Sequence, residues 1–258
     1  MPEGDAVART AARLTRALAD GPLVRAELRW GGLGDVDLLG RRSLGTVSYG
    51  KHLLTRFDDG QTLRSHLRMD GMWYVDPTSR AASRDGGPDT RAVLATRVWT
   101  CRGRLLGMLD LVRTRDEPRL LAHLGPDLMA EDAETTLEPA VQRMAADPRG
   151  IGEVLLDQTV AAGIGTIWTS ETLFRHEVSP WRPADRVDGA AILTTASRLM
   201  RASAAAPAAP GTPGSVPAGV YGREHAPCPR CGTPVARGMV GRAPTARRVF
   251  YCPTCQRV

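Results

Sequence analysis

Four cysteines near the C-terminal end impose the strongest constraint on how this chain can fold. They form two Cys-x-x-Cys pairs, Cys228/Cys231 and Cys252/Cys255, with 20 residues between the pairs. Two such knuckles supply four thiolates to one tetrahedral metal ion, and this spacing is typical of a structural zinc site. Disulfide bonds are the alternative. No apolar run approaches the length of a membrane span and the first residues show no basic-then-apolar signal pattern, so we expect an intracellular protein, in which disulfides are disfavoured. We therefore predict one structural zinc ion that pins a small module.

The basic residues are concentrated in the same region. Residues 221–258 contain seven arginines and one acid, Glu224, so their net charge of +6 equals that of the whole 258-residue chain. A basic tail on a neutral body suggests contact with a polyanion, although a solvated charged surface has the same composition. The arginines between the two cysteine pairs lie on the segment that the metal would pin, which indicates a phosphate-contacting finger. They are Arg237, Arg242, Arg247 and Arg248.

Lys51 is the one lysine among 34 basic side chains. A compositional bias against lysine explains the total but not this exception, and an ammonium group can do chemistry that a guanidinium cannot. Lys51 shares its parity with the apolar side chains of the run that ends at Phe57, so we expect it on the apolar side of a strand. An unpaired ammonium there would be costly, which places it at an edge facing a cleft or an anionic partner.

The first residues suggest a nucleophile. Removal of Met1 would leave Pro2 with a free secondary amine beside the carboxylate of Glu3. The ordinary pKa of an α-amino group lies near neutrality, well below that of a lysine ammonium, so such an amine can attack a substrate. Many chains begin with Met-Pro by chance, so this pair is informative only together with the other motifs.

The first half of the chain predicts one helix followed by strands. Gly4-Asp5 predicts a helix start with Asp5 as N-cap, and apolar residues recur at helical spacing as far as Leu18. Alternation from Val24 to Trp30 predicts a strand, and Asp58-Asp59-Gly60 predicts a hairpin turn between two β-rich runs. Further strand pattern covers Met72–Val75, Ala92–Cys101 and Leu105–Leu111, with a polar loop at Pro77–Arg91. We predict an antiparallel sandwich or barrel from residue 22 to about residue 111.

After Gly125-Pro126-Asp127 the pattern becomes helical. The glycines of Gly163-Ile164-Gly165 leave amide N–H groups uncovered at the start of a helix, which makes either an anion site or a plain turn. Residues Ala202–Gly219 are mainly alanine, proline and glycine and predict a linker or surface loop. The predicted helices are Ala133–Ala146, Ile151–Thr159, Thr166–His176 and Asp188–Ser203.

In this order of motifs the chain resembles the formamidopyrimidine-DNA glycosylase and endonuclease VIII family of base-excision repair enzymes. The resemblance runs almost from end to end, and Gly4-Asp5 is closer to the endonuclease VIII branch. The motifs that carry it are Met1-Pro-Glu-Gly-Asp5, Tyr49-Gly-Lys-His-Leu53, Ser65-His-Leu-Arg-Met69, Leu155-Leu-Asp-Gln158 through Gly163-Ile-Gly165, Tyr221-Gly-Arg223, and Cys228 to Cys255 followed by Gln256.

The resemblance implies a multidomain α+β fold. An N-terminal antiparallel β-sandwich with an N-terminal helix would span residues 1–125 and carry the catalytic residues. A helical domain with a helix–two-turn–helix motif would span residues 126–222, and a four-cysteine zinc finger would span residues 223–258.

The resemblance also implies a bifunctional glycosylase and AP lyase. Pro2 would attack C1′ of the damaged nucleotide, expel the base and form an iminium intermediate, and Glu3 would act as general acid–base. Lys51 would contact the phosphate or the leaving base. Elimination at the 3′ phosphate and then at the 5′ phosphate (β,δ-elimination) would complete the reaction.

Damaged DNA is the implied partner. Because the target nucleotide must leave the stack, Met69 would fill the gap and Arg68 beside it would reach the orphaned base. The alternative interpretation of Met69 is a methionine in the core of the sheet. The residues that would contact DNA are His66, Arg68, Met69, Gly163, Gly165, Thr166, Arg223, Arg247 and Arg248, where Arg247 or its neighbour Arg248 would be the finger arginine.

Three departures from the family pattern bear on these expectations. Thr166 stands where asparagine is usual, and Ala6 falls near a second glutamate of many relatives. The segment Ala202–Gly219 has few polar side chains where purine-directed members place a loop over the flipped base, which favours oxidised pyrimidines as substrates. We expect a monomer without a membrane segment, cytoplasmic and associated with the nucleoid. A noncatalytic zinc-finger protein that binds damaged or structured DNA is the alternative.

Overall fold

The computed structural model describes residues 2–81, 87–206 and 218–257. The chain divides into two compact units. The first contains Met1–Pro2 and Ala6–Ala122, and the second contains Glu3–Asp5 and His123–Val258. Among the helices of the described part, none combines the length and the apolar character needed to cross a membrane. The predicted division into residues 1–125, 126–222 and 223–258 stays a prediction.

The first unit is an antiparallel β-sandwich, as the sequence predicts. Its elements are α1 (Gly4–Leu18), β1 (Arg25–Leu28), β2 (Ser43–Tyr49), β3 (His52–Phe57), β4 (Gln61–His66), β5 (Met72–Pro77), α2 (Thr78–Ala81), β6 (Thr90–Ala95), β7 (Trp99–Arg104), β8 (Met108–Arg113) and α3 (Glu117–Leu121). One sheet has the strand order β1-β6-β7-β5 and the other β2-β3-β4-β8, and every neighbouring pair is antiparallel. One buried cluster takes side chains from both sheets and from the first helix, so the core lies between these layers.

Helix α1 covers the core with the predicted face. Val7, Leu14 and Leu18 are almost completely buried, since residues three or four apart share one side of a helix. The prediction that Asp5 is the N-cap is wrong, because α1 begins at Gly4 and Asp5 lies in its first turn. The Asp5 carboxylate instead accepts a hydrogen bond from the Ser203 hydroxyl (2.7 Å).

Two hairpins follow one another in the second sheet. Strands β3 and β4 flank the predicted turn at Asp58-Asp59-Gly60, which is confirmed. The placement of Lys51 on a strand is wrong, because Tyr49 pairs with His52 and Lys51 lies in the two-residue turn between β2 and β3. Gly50 has φ +55°, the left-handed conformation that such a short turn requires. Lys51 is nevertheless only 6% exposed.

Other boundaries in this unit also differ from the sequence pattern. The predicted single run Ala92–Cys101 is two strands, β6 and β7, because the chain reverses between them. The loop predicted at Pro77–Arg91 contains the short helix α2, and its residues 82–86 lie outside the described part. Leu105 precedes β8 instead of opening it, since its φ of +48° is incompatible with a strand.

The helical part of the second unit surrounds its own core. Its helices are α4 (Ala133–Thr136), α5 (Glu138–Ala145), α6 (Ile151–Leu156), α7 (Thr166–Arg175) and α8 (Gly189–Ala205). Two elements differ from the prediction. A break at Leu137 divides the first predicted helix. Helix α6 ends at Leu156 because Asp157 turns to an extended conformation (ψ 104°) and accepts a hydrogen bond from the backbone N–H of Thr159. Helices α6 and α7 with the turns between them form the predicted helix–two-turn–helix.

The cysteine-bearing module carries a β-hairpin of two strands, β9 (Ala236–Val240) and β10 (Arg247–Tyr251). Its buried cluster is small and includes Phe174 of α7. The Phe250 backbone N–H donates to the Ser170 hydroxyl (3.0 Å), and the Trp181 indole donates to the Met239 carbonyl (3.0 Å). Within the predicted linker Ala202–Gly219, α8 continues to Ala205 and residues 207–217 lie outside the described part.

Candidate active site, DNA-contacting loops and metal centre

The carboxylate of Glu3 occupies the N-terminus of α7. Its Oε1 accepts a hydrogen bond from the backbone N–H of Ile167 (2.8 Å), and its Oε2 accepts from those of Gly165 (3.0 Å) and Trp168 (3.3 Å). The side chain is buried, with 3% exposure. Because these N–H groups have no partner inside the helix and the helix dipole favours negative charge, the carboxylate is held in one place and stabilised. The anion at this helix terminus therefore belongs to the chain itself.

Gly165 makes this approach possible. A Cβ atom at Gly165 would lie 2.4 Å from Cδ of Glu3, closer than real Cβ contacts allow. The other glycine of the turn, Gly163, has φ +104°, which a residue with a side chain rarely adopts. Its N–H donates to Oε1 of Gln158 (3.1 Å), whose Nε2 donates back to the Ile164 carbonyl (3.0 Å). Both glycines are thus needed for the shape of the turn, and both of their amide groups have acceptors within the chain.

Two further hydrogen bonds anchor the N-terminal segment. The Gly4 N–H donates to the Gly163 carbonyl (2.9 Å), and the Asp5 carboxylate accepts from Ser203 (2.7 Å). Glu3, Gly4 and Asp5 are therefore fastened at three consecutive positions. Since a peptide bond joins Pro2 to Glu3, this fastening restricts the carbonyl end of Pro2, the residue whose amine is the candidate nucleophile.

Thr166 begins α7 and is half-buried. Its carbonyl accepts from the Ser170 hydroxyl (2.7 Å). Within the described part of the chain, neither its backbone N–H nor its hydroxyl donates to an acceptor. These two donors therefore remain available at the helix start for an external acceptor.

In the first unit, Lys51, His52 and His66 come together at one end of the β2–β3–β4 sheet. His52 pairs with His66 across the strands, and their rings meet edge to face at 4.9 Å between centroids. Burial, together with the nearby positive charges of Lys51, Arg68 and Arg64, lowers the pKa of His66 to about 4. His66 is therefore neutral at physiological pH. Its Nδ1 accepts the Arg68 backbone N–H (2.9 Å), which places the ring proton on Nε2 as a donor.

The loop after β4 presents Met69 to solvent. Met69 is 64% exposed, so the alternative interpretation, a methionine in the core of the sheet, is excluded. Arg68 before it has φ +52°, a strained conformation for a residue with a side chain. The aliphatic part of Arg68 packs on Gly107, where an added Cβ would lie 2.4 Å from Arg68 Cδ.

Leu105 is a residue that the sequence reasoning missed as a candidate. It is 42% exposed with φ +48°, and its loop is joined to the Met69 loop because the Gly107 N–H donates to the His66 carbonyl (2.9 Å). A Cβ at Gly71 would lie 2.9 Å from the Leu105 carbonyl oxygen. Two adjoining loops thus each expose one apolar side chain. The sequence carries no local signal for this exposure, because Leu105 continues the apolar strand pattern.

The four cysteines form one cluster. Their Sγ atoms all lie within 4.8 Å of one another, with Cys228 to Cys255 at 4.0 Å and Cys231 to Cys252 at 3.5 Å. These separations are too long for disulfide bonds, whereas sulfurs around a tetrahedral ion at a metal–sulfur distance of about 2.3 Å are about 3.8 Å apart. The backbone N–H groups of Arg230 and Cys255 point at Cys228 and Cys252 Sγ (both 3.4 Å), as expected around thiolate ligands. The site is suited to a metal ion with four sulfur ligands.

The arginines of this module differ in their partners. Arg230 pairs with Glu177 and Arg237 with Glu224, each at 3.1 Å. Arg247 donates to the carbonyls of Thr245 (2.9 Å) and Ala246 (3.3 Å). Neither Arg247 nor the exposed Arg248 has a carboxylate partner in the described residues. These two remain able to contact an anion.

Arg223 has a different environment. Its guanidinium donates to the carbonyls of Ala218, Gly219 and Pro227 at 3.4, 3.3 and 3.0 Å. The neighbouring segment is held by the buried Glu171 of α7, whose carboxylate accepts the backbone N–H groups of Gly219–Tyr221 at 2.7 to 2.9 Å. Arg223 thus braces the connection to the cysteine module, and its predicted DNA contact stays a prediction.

Comparisons with known proteins agree with this architecture. Residues 1–113 match the formamidopyrimidine-DNA glycosylase N-terminal domain, and residues 124–206 match the formamidopyrimidine-DNA glycosylase H2TH domain. Probable endonuclease 8 2 of Streptomyces coelicolor is 43% identical over 263 residues, covering 99% of this chain and 94% of that protein. DNA-(apurinic or apyrimidinic site) lyase Nei2 of Mycolicibacterium smegmatis is 34% identical, covering 99% of each chain.

A solved structure shares the fold. Lactococcus lactis formamidopyrimidine-DNA glycosylase, non-covalently bound to DNA that contains an AP site, aligns with a TM-score of 0.83 over 99% of this chain and 100% of that chain, at 18% identity. The matches to both family domains and the identity over nearly the full length of the relatives lead to one conclusion: this chain belongs to the formamidopyrimidine-DNA glycosylase and endonuclease VIII family.

Proposed function

We infer that the protein is a DNA glycosylase with AP lyase activity in base-excision repair, and that its nucleophile is the amine of Pro2 after removal of Met1. The observation that carries the inference is the fastening of Glu3 by three backbone N–H groups at the start of α7, directly beside Pro2. A carboxylate with a purely structural role could lie anywhere along the chain, whereas Glu3 lies next to Pro2, whose amine is the proposed nucleophile. The names of the relatives, which include endonucleases 8 and an AP lyase, point to the same activity.

The proposed reaction forms and breaks bonds in sequence. The lone pair of the Pro2 nitrogen attacks C1′, and the electrons of the glycosidic bond leave with the base, which takes up a proton. The Pro2 nitrogen then loses its proton, and opening of the sugar ring, whose oxygen takes up a proton, gives a C1′ iminium bonded to Pro2. Loss of a C2′ proton then expels the 3′ phosphate (β-elimination), and a second elimination expels the 5′ phosphate. Hydrolysis returns the free amine.

Glu3 is proposed to move protons in these steps. A carboxylate held by fixed N–H donors keeps its position while it exchanges a proton with the sugar oxygen or with water. Ala6 carries no group that could share this task, so the burden on Glu3 is greater than in relatives with a second glutamate there.

Lys51 and His66 are proposed to hold the backbone beside the lesion. The buried position of Lys51 in its turn keeps the ammonium group near His66, and His66 presents a neutral Nε2–H. We assign Lys51 to a phosphate or the leaving base, and His66 to a phosphate oxygen through a neutral hydrogen bond. Thr166 would add its two free donors at the start of α7, while Gly163 and Gly165 act by shaping the turn.

Met69 is proposed to fill the gap that the extruded nucleotide leaves, with Leu105 as a second apolar side chain on the adjoining loop. Both are exposed although apolar, and both loops are held in strained, closely packed conformations. Exposed apolar side chains on loops of constrained conformation suit insertion between bases. Arg68, whose side chain packs on Gly107, would reach the orphaned base from the same loop.

Zinc is proposed as the metal, because four thiolates select it in structural sites. It would hold the β9–β10 hairpin with Arg247 or Arg248 against DNA phosphates. For the substrate we propose oxidised pyrimidines in damaged DNA, on the basis of the apolar composition of Ala202–Gly219. We also propose that the protein is a monomer and that it is located in the cytoplasm, at the nucleoid.

Borohydride trapping tests the central proposal. Reduction of the iminium with an abasic-site duplex should give a covalent adduct with protein whose Met1 has been removed. Protein that retains Met1 serves as the control and should give none, since its proline nitrogen is an amide. If correctly processed protein forms no adduct, the protein is a noncatalytic DNA-binding protein and the proposal is wrong.

A further inference from the structure

The β-sandwich unit contains a pocket that none of the proposed catalytic or DNA-contacting residues touches. Its volume is about 290 Å³, and its lining is Arg13, Arg16 and Ala17 of α1, Val75 of β5 and Trp99 of β7. We call it the Trp99 pocket. It is smaller than most sites for small ligands and has no buried polar group among its lining residues, which argues against a metabolite or cofactor.

The pocket lies where the hydrophobic core reaches the surface. Val75 pairs with Cys101, which is fully buried, and Pro77 pairs with Trp99. Trp99 and Cys101 are two apart, so they face the same side of the sheet, and this apolar side continues past the core to its rim. Opposite them α1 offers only the methyl group of Ala17. Because this methyl group is too small to fill the space, the indole of Trp99 stays partly uncovered.

Two guanidinium groups stand at the mouth of the pocket. Arg13 and Arg16 are exposed, and in the described part of the chain neither is paired with a carboxylate. Arg13 donates from Nη2 to the Trp73 carbonyl (3.0 Å), which orients its guanidinium and leaves most of its five N–H donors for another acceptor. Asp76 at the end of β5 is engaged by Arg102. The local charge is therefore positive around an apolar floor.

We propose that the Trp99 pocket docks an acidic peptide segment of a partner protein, which inserts one apolar side chain against Trp99 and places carboxylates on Arg13 and Arg16. The pocket has room for a single large side chain, as an anchor at a protein interface requires. Paired guanidiniums recognise carboxylates through parallel hydrogen bonds. The DNA backbone would supply phosphates for the arginines but no apolar side chain beside them to fill the floor, so charge and shape together favour the peptide.

Fluorescence anisotropy with a short labelled peptide tests the proposal, the probe being an Asp-rich sequence with one central Phe. We expect saturable binding that weakens at least about tenfold in Arg16→Glu, which reverses a rim charge, and in Ala17→Leu, which fills the pocket. Peptides with Phe→Ala or with Asp→Asn should lose a similar factor. The matched controls are Arg119→Glu on α3 and Ala12→Leu on the exposed side of α1, which should bind the peptide normally.

Further measurements keep the outcome decisive. Every variant should keep its borohydride adduct on abasic DNA, which shows that it is folded and separates this proposal from the proposed function. Absence of saturable peptide binding overturns the proposal, as does binding that Arg16→Glu leaves unchanged. If Arg16→Glu instead weakens binding of duplex DNA and the duplex displaces the peptide, the rim contacts phosphates and the proposal is wrong. If Ala17→Leu does not fold, Arg16→Glu and the two altered peptides still test whether the Trp99 pocket binds the peptide.

Discussion

At the scale of single residues, the absence of a side chain at Gly165 decides the position of Glu3. The carboxylate reaches the amide groups of α7 only because no Cβ stands in its way, and the nearest atoms of Glu3 would lie 2.4 Å from that Cβ. A substitution must therefore move either the N-terminal segment or the start of α7. Both carry groups that we assign to the reaction.

Gly165→Ala should reduce the rate of base removal by roughly 100-fold or more, because a displacement of about 1 Å at a catalytic group has that effect. Single-turnover kinetics on a duplex with one lesion measure it. Gly34→Ala is the matched control, since a Cβ there meets no atom within 4 Å. An unchanged rate in Gly165→Ala would mean that the contact between Glu3 and α7 is not needed for catalysis.

The second residue-scale prediction concerns His66 and pH. Its pKa lies at about 4 in the folded protein, below the ordinary value of 6.5, because burial and neighbouring cations disfavour the proton. As pH falls below about 6.5, the unfolded chain takes up a proton that the folded chain refuses, so the free energy of unfolding should fall between about pH 6.5 and about pH 4.

Urea unfolding at several pH values measures this loss. His66→Gln keeps a neutral acceptor for the Arg68 N–H, so its stability should depend less on pH over the same interval, and the difference from the unmodified protein isolates His66. His123→Gln, at an exposed site, is the control. Equal pH dependence in His66→Gln and the unmodified protein would contradict the prediction.

At the scale of elements, the β9–β10 hairpin sets which arginine can reach a phosphate. Successive residues of a strand face opposite sides, so Arg247 and Arg248 cannot both point at the same group. Arg247 is preorganised by hydrogen bonds to the carbonyls of Thr245 and Ala246 in the turn of its own hairpin. We therefore assign the phosphate contact to Arg247.

Arg247→Ala should weaken DNA binding irrespective of sequence and make the slope of log affinity against log salt about one unit shallower, because one counterion fewer is released. Arg248→Ala is the matched control and should keep the slope. Titrations of an abasic-site analogue duplex at several salt concentrations measure both. A shallower slope in Arg248→Ala alone would assign the contact to Arg248.

The adjoining loops that carry Met69 and Leu105 are the second functional feature at this scale. The sequence motif around Ser65–Met69 marks the first loop, whereas the second is evident only from backbone conformation and exposure. Both loops depend on glycines, Gly71 and Gly107, at which a side chain would collide with the other loop. The conformation of one loop therefore constrains the other.

At the scale of the whole molecule, the sandwich and the cysteine module depend on different sources of stability. The sandwich has a large apolar core. The cysteine module contributes few buried residues, Val220, Val235 and two of the cysteines among them. We expect a module this small to rely on a metal ion bound by the four cysteines, because its apolar burial alone does not offset the entropy of ordering the chain.

Removal of the metal with a chelator under reducing conditions should therefore unfold the module while the sandwich stays intact. Hydrogen exchange should lose protection in β9 and β10 and keep it in β3 and β4, and DNA affinity should fall. Zinc should restore both. Retained protection in β9 and β10 after verified metal loss would show that the hairpin is stable without the ion.

Much of the architecture was predictable because its signals are local. The face of α1, the turn at Asp58-Asp59-Gly60 and the four-cysteine cluster follow from periodicity, turn chemistry and spacing. Two of the errors, those at Lys51 and Leu105, share a cause. Both residues continue an apolar pattern but lie in turns, because the backbone reverses under constraints of strand pairing that periodicity does not contain.

The sequence by itself determined the fold class, the family, the four clustered cysteines and the identity of the candidate nucleophile, because each depends on residue type and spacing along the chain. Only the tertiary structure decided that the anion at the start of α7 is Glu3 and that His66 is neutral. It also decided that Leu105 stands exposed beside the Met69 loop. These features arise from contacts between residues up to about 165 positions apart, where burial and hydrogen-bond geometry have no counterpart in local sequence.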